Sequence, residues 1–376
     1  MFLFLLQKRN KLRSMILRIS IAILFLQIIF SATAQQPFTI GAKYSIPSQA
    51  LKETREYYVY LPPEYNSNEY APAKYPVIYL LDGESSFHYF TGLQQSLSKG
   101  PYAYMPNAIV VGIVNTQRTR DLTPTDAGRT AFYDKSQTMF KGGGGNHHFI
   151  QFLTAELRMH IDSVYRTSGY NTIVGHSFGG LTAANLLLNY TTLFNAYIMI
   201  DPSLWWDDGI MLRQADSVLA KKDFRQANIY VAMAHKEIIP QDTTTDMERS
   251  ILSFETLLKK HSPKKLRWSF QYYPGEDHGT IAVPAAYNGL RFIFDGHLVQ
   301  VKQAVFNPQL LTTHFKKLSA QTGFSFQPSE PYLDWMGNFC QKSGMLKEAA
   351  AFYEMATKLY PQSRHAEEVW KKIKVK

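Results

Sequence analysis

Gly175-His176-Ser177-Phe178-Gly179 directly follows the apolar run Thr172-Ile173-Val174 and runs into Leu181-Thr182-Ala183-Ala184-Asn185-Leu186-Leu187-Leu188. Together they read as strand, sharp turn and helix, with a serine at the tip of the turn. Strained backbone at such a tip pushes the hydroxyl out of the sheet. Flanking glycines let strand and helix approach closely, because they carry no Cβ. The Phe178 amide then opens a helix and can donate to a developing oxyanion.

A nucleophilic serine needs a base. In this strand–turn–helix arrangement the chain order is serine, acid, histidine. Of the histidines after Ser177, His278 has the right setting. It follows the alternating run Leu266–Tyr273 and lies in the turn Pro274-Gly275-Glu276-Asp277-His278-Gly279-Thr280. The acid is expected after the preceding strand, Asn228–Ala234. Glu237 is closest to that strand end and is the first choice for orienting the imidazole. Asp242, Asp246 and Asp207 are the alternatives, as is a dyad without a third member. A solvated loop charge paired with Lys236 is the structural reading of Glu237.

The N-terminus reads as a targeting segment. Lys8, Arg9, Lys11, Arg13 and Arg18 precede an apolar stretch, Ile19–Phe30, and Ala32-Thr33-Ala34 has the pattern of a cleavage site. The apolar stretch is short for a membrane span, so cleavage after residue 34 and a periplasmic or secreted protein are expected. Removing those five cations takes the net charge from +10 to +5. What remains is spread along the chain, apart from the terminal Lys371–Lys376, which reads as a helix end rather than a nucleic-acid patch. A single cysteine, Cys340, excludes an intramolecular disulfide. Adjacent His147 and His148 lack a third ligand at useful spacing, so no metal site is expected.

Between residues 53 and 300, strand-like and helix-like segments alternate. Tyr75–Leu81 and Ala108–Val114 are largely apolar, as strands buried on both faces are. Phe149–Tyr165 has helical period. This alternation predicts a doubly wound, mostly parallel α/β sheet with ligands at the C-terminal strand ends. The domain reading is a signal segment 1–34, a catalytic domain 35–300 and a helical segment 301–376. Within the last, residues 330–363 match one 34-residue tetratricopeptide-like unit through Gly337, Ala349, Tyr353, Ala356 and Pro361. A lone repeat cannot bury its own face, so it is expected to pack on the catalytic domain, on the preceding helix or on another copy of the chain, or to serve as a protein-contact surface.

With these residues in hand, the chain resembles the "Putative esterase" family of α/β-hydrolases, which includes enterochelin and salmochelin esterases. The strings that carry the resemblance are Tyr79-Leu80-Leu81-Asp82-Gly83, Arg120-Asp121-Leu122-Thr123-Pro124, Gly175–Leu181, Asp201-Pro202-Ser203-Leu204-Trp205-Trp206 and Gly275–Gly279. The resemblance implies Ser177 as nucleophile and His278 as base, with an oxyanion hole formed by Phe178 and the loop at Gly83 and Glu84. It also implies a substrate pocket lined by Arg120, Trp205 and Trp206. A structural Arg120–Asp121 contact and a core tryptophan pair are the competing readings. The expected activity is hydrolysis of a small-molecule ester (siderophore, aromatic or acyl-sugar) through an acyl-enzyme, with no cofactor. Acyl transfer on the same residues, or a non-catalytic binding protein using its helical tail, are the rival readings.

Overall fold

The computed structural model describes residues 8–9, 11–21, 38–127, 129–130, 138–190, 193–235 and 246–374. Among the described residues there are ten strands: β1 (Ala42–Ser48), β2 (Glu53–Tyr60), β3 (Tyr75–Leu80), β4 (Ile109–Ile113), the short pair β5 (Arg129–Thr130) and β6 (Thr138–Met139), β7 (Thr167–His176), β8 (Ala196–Ile200), β9 (Ala227–Ala234) and β10 (Leu266–Tyr273). Eight of them form one sheet in the order β1-β2-β4-β3-β7-β8-β9-β10. Every pairing from β4 to β10 is parallel, while β1–β2 and β2–β4 are antiparallel.

Sequence explains the sheet's layering. β3, β4, β8 and β9 are buried at every position, as expected for apolar strands covered on both faces. Successive residues point to opposite faces. Val77, Tyr79 and Leu81 therefore join one core cluster, and Ile78 and Leu80 the other. Helix α1 (Gly83–Ser98) and the helix Ala282–Ile293 cover the second face. The first face is covered by residues 146–164 and the helices Phe178–Asn189, Trp206–Lys221 and Asp246–His261. The helix expected over Phe149–Tyr165 buries the predicted side but is not uniform: Phe152–Leu157 is a π-helical turn between Asn146–Gln151 and Arg158–Val164.

Arg55 is wholly buried beside that turn. Its guanidinium lies 5.6 and 5.5 Å from the Phe149 and Phe152 ring centres. It pairs with buried Asp121, with Glu53 at 2.9 Å, and donates to the Val114 carbonyl at 2.9 Å. Buried ions persist only when paired and hydrogen-bonded in this way. The pair fixes the short helix α2 (Arg118–Leu122) against β2.

Residues Gly41–Lys376 form one compact unit. After the sheet come helices Val301–Phe306, Gln309–Thr322, Glu330–Lys342, Leu346–Leu359 and Arg364–Lys374. They carry their own cluster, built on Leu333, Met336, Cys340, Phe352 and Tyr353. Gly337 makes the close approach possible, since a Cβ there would stand 2.5 Å from the Tyr353 ring. In the separate unit Met1–Ile40, residues 11–21 are helical. Among the described residues no helix is long and apolar enough to cross a membrane. The cleavage pattern at residues 32–34 lies outside the described residues.

Candidate active site

Ser177 stands between β7 and the helix Phe178–Asn189 with φ 60° and ψ −115°, a region that L-residues rarely occupy. The turn is held from below. The Ser177 amide donates to the Ile200 carbonyl at 3.0 Å, and its carbonyl accepts from Leu181 and Ser203 at 3.0 and 3.1 Å. Of the two flanking glycines only Gly175 is demanded by space: a Cβ there would stand 2.2 Å from the Gly179 backbone, whereas one on Gly179 would make ordinary contacts at 3.4 Å, and the tight second position is Gly180, 2.8 Å from Pro202. Gly175→Ala should therefore fail to yield folded, active protein. Soluble expression and circular dichroism check this.

His278 is placed by its turn. The Asp277 carboxylate accepts from the Gly279 and Thr280 amides at 2.7 and 2.9 Å, closing the loop on itself. The Gly279 amide first, and then that of Thr280, hold the Asp277 carboxyl below its ordinary range. His278 Nδ1 lies 2.6 Å from Oδ2 of Asp201, which is buried directly after β8. Asp201 is itself anchored. Its amide donates to the Ala232 carbonyl at 2.8 Å, and its Oδ1 accepts from the Ala234 amide at 3.0 Å. With Nδ1–H committed to a carboxylate, Nε2 is the nitrogen left to accept a proton. The His278 ring packs against that of His176, the residue before the serine, at 4.5 Å between centres. Ser177 Oγ is 3.2 Å from Ser203 Oγ.

His176 is held neutral. Burial first, and then the charge of His278, push its pKa down to about 4. His297, half-buried with Nδ1 3.0 Å from the Ala103 carbonyl, is likewise lowered to about 4, by desolvation. An unfolded chain protonates both near pH 6.5. Below that pH the unfolded state binds more protons than the fold, so the stability these neutral rings contribute is complete above about 6.5 and lost as pH falls towards 4. Each shift corresponds to about 3 kcal/mol. Urea midpoints should drop between pH 7 and 4.5, and less steeply in His297→Gln.

The loop after β3 borders the serine. Asp82, at φ 55°, leads into Gly83 and α1, and its Oδ2 would contact a Cβ on Gly179 at 3.4 Å. Gly83 presses on the backbone of Gly112 and Ile113, where a Cβ would meet atoms at 2.6 and 2.7 Å. Glu84 is turned to Asn115, accepting from its amide at 3.1 Å and its side chain at 2.7 Å. Arg118 grips Asp82 with Nε and Nη2 at 2.6 and 3.0 Å, donates to the His176 carbonyl at 3.2 Å, and lies 5.4 Å over the Phe178 ring. The Phe178 amide is the first of its helix, one of the donors a helix leaves without an internal partner.

Of the other residues singled out in the sequence, Arg120 binds Glu53 at 2.7 Å and Asp121 at 2.7 Å, so its head group is committed within the protein. Its neighbour Arg118 reaches the serine turn instead. Trp205 and Trp206 are buried and pack edge-on or tilted around Phe178 and Phe140, with centres 5.1 to 6.3 Å apart. Trp206 Nε1 donates to Thr125. The Gly142–Gly145 loop packs on the same wall, with Gly143 against Thr123, Thr125 and Trp206. Glu237 and Asp242 lie outside the described residues, as does the side chain of Asp246. Asp207 has φ 51°, and its carbonyl accepts from Arg213. The carboxylate brought to His278 is Asp201, which stands out in the sequence only within the family string Asp201–Trp206. Among the described residues no group of histidine, cysteine or acidic side chains could hold a metal.

The "Putative esterase" family model matches residues 48–278 of this chain, and the chain belongs to that family. It is an esterase. It is 28% identical to the ferri-bacillibactin esterase BesA of Bacillus subtilis over 68% of this chain and 90% of that one. It is 20% identical to the siderophore triacetylfusarinine C esterase of Aspergillus fumigatus, over 58% of this chain and 82% of the relative. The crystal structure of an IroE-like serine hydrolase from Shewanella oneidensis matches with TM-score 0.77 at 32% identity, covering 85% of this chain and 99% of the other.

Proposed function

We propose that this chain is an exported serine esterase with Ser177, His278 and Asp201 as its catalytic residues, cleaving the ester bonds of a siderophore or a related aromatic-acyl ester. The observation that carries the reading is the buried Asp201 on His278 Nδ1, 2.6 Å apart, with His278 stacked beside the strained serine turn. Ser177 Oγ attacks the ester carbonyl while its proton passes to His278 Nε2. Asp201 stabilises the resulting imidazolium, and Nε2–H then protonates the departing alkoxide. Water, deprotonated by the same nitrogen, attacks the acyl-enzyme and returns the acid and the free serine. The Phe178 amide, joined by a donor from the loop at Gly83, stabilises the oxyanion in both steps. In apo geometry the serine–histidine bond need not be formed, and Ser203 holds the resting hydroxyl.

Arg118 and the Phe140–Phe178–Trp205 wall support an aromatic or catecholate acyl group. One relative is a siderophore triacetylfusarinine C esterase and another a ferri-bacillibactin esterase, as their names state. The basic N-terminal segment supports export, and Gly337 packed on Tyr353 supports a tetratricopeptide-like pair in residues 330–363. Fluorophosphonate labelling followed by peptide mass spectrometry tests the mechanism. The adduct should sit on Ser177 and disappear in His278→Ala. Labelling elsewhere, or none on folded protein, would sink it.

A further inference from the structure

A cavity of about 490 Å³ opens at the end of the sheet away from Ser177. Its wall includes Tyr75 and Pro76 at the start of β3, and Arg166 and Ser168 at the start of β7. Ser177 follows the far end of β7, a ten-residue strand. At about 3.3 Å per residue the two places are roughly 30 Å apart. The cavity is therefore separate from the catalytic cleft. Its volume is in the range of small-molecule sites.

The helical tail closes one side through Tyr332, Leu359, Tyr360 and Gln362. That wall is fixed to the sheet domain by polar links. The buried Glu330 carboxylate accepts from the Ala71 amide at 3.0 Å and from Ser363. Asp334 accepts from Tyr70 at 3.3 Å and holds His365 at 2.8 Å, whose ring meets that of Tyr70 edge-on. The cavity is thus pre-formed and needs no closing motion.

Its chemistry selects against ions. Among the described residues the charged ones lining it are Glu64, Lys74, Arg166 and Glu330, two of each sign. Three of them already serve the protein. Arg166 donates to the Ala73 and Tyr65 carbonyls and lies 3.9 Å over the Tyr65 ring, Glu64 accepts from Asn107 at 2.9 Å, and Glu330 is bound as above. His297 on the same wall is uncharged at neutral pH. What the wall offers is aromatic surface, from Tyr65, Tyr75, Phe315, Phe326, Tyr332 and Tyr360.

We propose that this cavity between the sheet domain and the helical tail is a second binding site, for a small neutral aromatic molecule. The test uses 6-propionyl-2-(dimethylamino)naphthalene, a neutral planar ketone whose emission shifts to the blue in apolar surroundings. Titrated into the full chain, it should give a saturable, one-to-one, blue-shifted signal. Ser325 and Gln362 are exposed and line the cavity. Ser325→Trp and Gln362→Trp place an indole at this opening, and each should weaken binding about tenfold or more. Both should leave turnover of a chromogenic ester within twofold of wild type, which confirms folding and separates this site from the serine. No saturable binding to folded wild-type protein would overturn the proposal. So would binding unchanged in whichever of the two variants folds.

Discussion

Ser177→Ala should lower ester turnover by about 10⁴-fold or more while leaving the fold intact. The hydroxyl is the nucleophile of the proposed reaction, and neither Ser203 nor water in its place has the same backing from the turn. Ser177→Gly makes the stronger test. It should be equally inactive, yet more stable than wild type by about 1 kcal/mol, because glycine occupies φ 60°, ψ −115° without the cost a Cβ brings. Glycine's larger unfolded-state entropy offsets part of the relief, which limits the gain. A paired assay of turnover and thermal midpoint reads both effects. A Ser177→Gly protein that is inactive and less stable would mean that the turn is not strained by its serine. A Ser177→Ala protein with wild-type turnover would remove the mechanism altogether.

The fold was largely legible because its strands announce themselves. Buried parallel strands need apolar side chains on both faces, and Tyr75–Leu80, Ile109–Ile113 and Ala196–Ile200 meet that need at every position. The serine turn was legible for a different reason: Gly175 is forced by a backbone contact that a Cβ would not tolerate, and it stands directly between an apolar run and a helical one. Less visible was the role of each arginine. Arg120 and Arg118 are two residues apart on one short helix, so they point in different directions. Nothing local says which of them meets Glu53 and which meets Asp82. The buried Arg55–Asp121 pair, which decides the matter by pinning the helix, joins residues 66 apart in sequence. The π-helical turn at Phe152–Leu157 was hidden too, because it preserves the apolar face that a regular helix would show.

The acid illustrates the same limit and makes a sharp prediction. Asp201→Asn should cost about 10⁴-fold in turnover, whereas Glu237→Gln should stay within a few-fold of wild type. The sequence reading looked to the loop after β9, because β9 precedes the strand that carries His278. In the fold, the turn after β10 carries His278 past β9 to β8, where Asp201 ends the strand beside the serine's own. How far a turn reaches across a sheet is a property of strand order, which periodicity does not reveal. Asparagine at 201 keeps the shape of the side chain and tolerates the φ of 40° found there. Its carbonyl oxygen can still accept from the Ala234 amide, so the strand ends should hold. The other atom becomes an NH₂ group facing His278 Nδ1. The imidazole must then place its proton on Nε2, and the nitrogen that should take the serine proton is already protonated. Raising pH does not restore a free Nε2 in that tautomer, so the loss should persist across the pH profile. Equal losses in Asp201→Asn and Glu237→Gln would point to a shared network. A loss confined to Glu237→Gln would return the acid to the loop after β9.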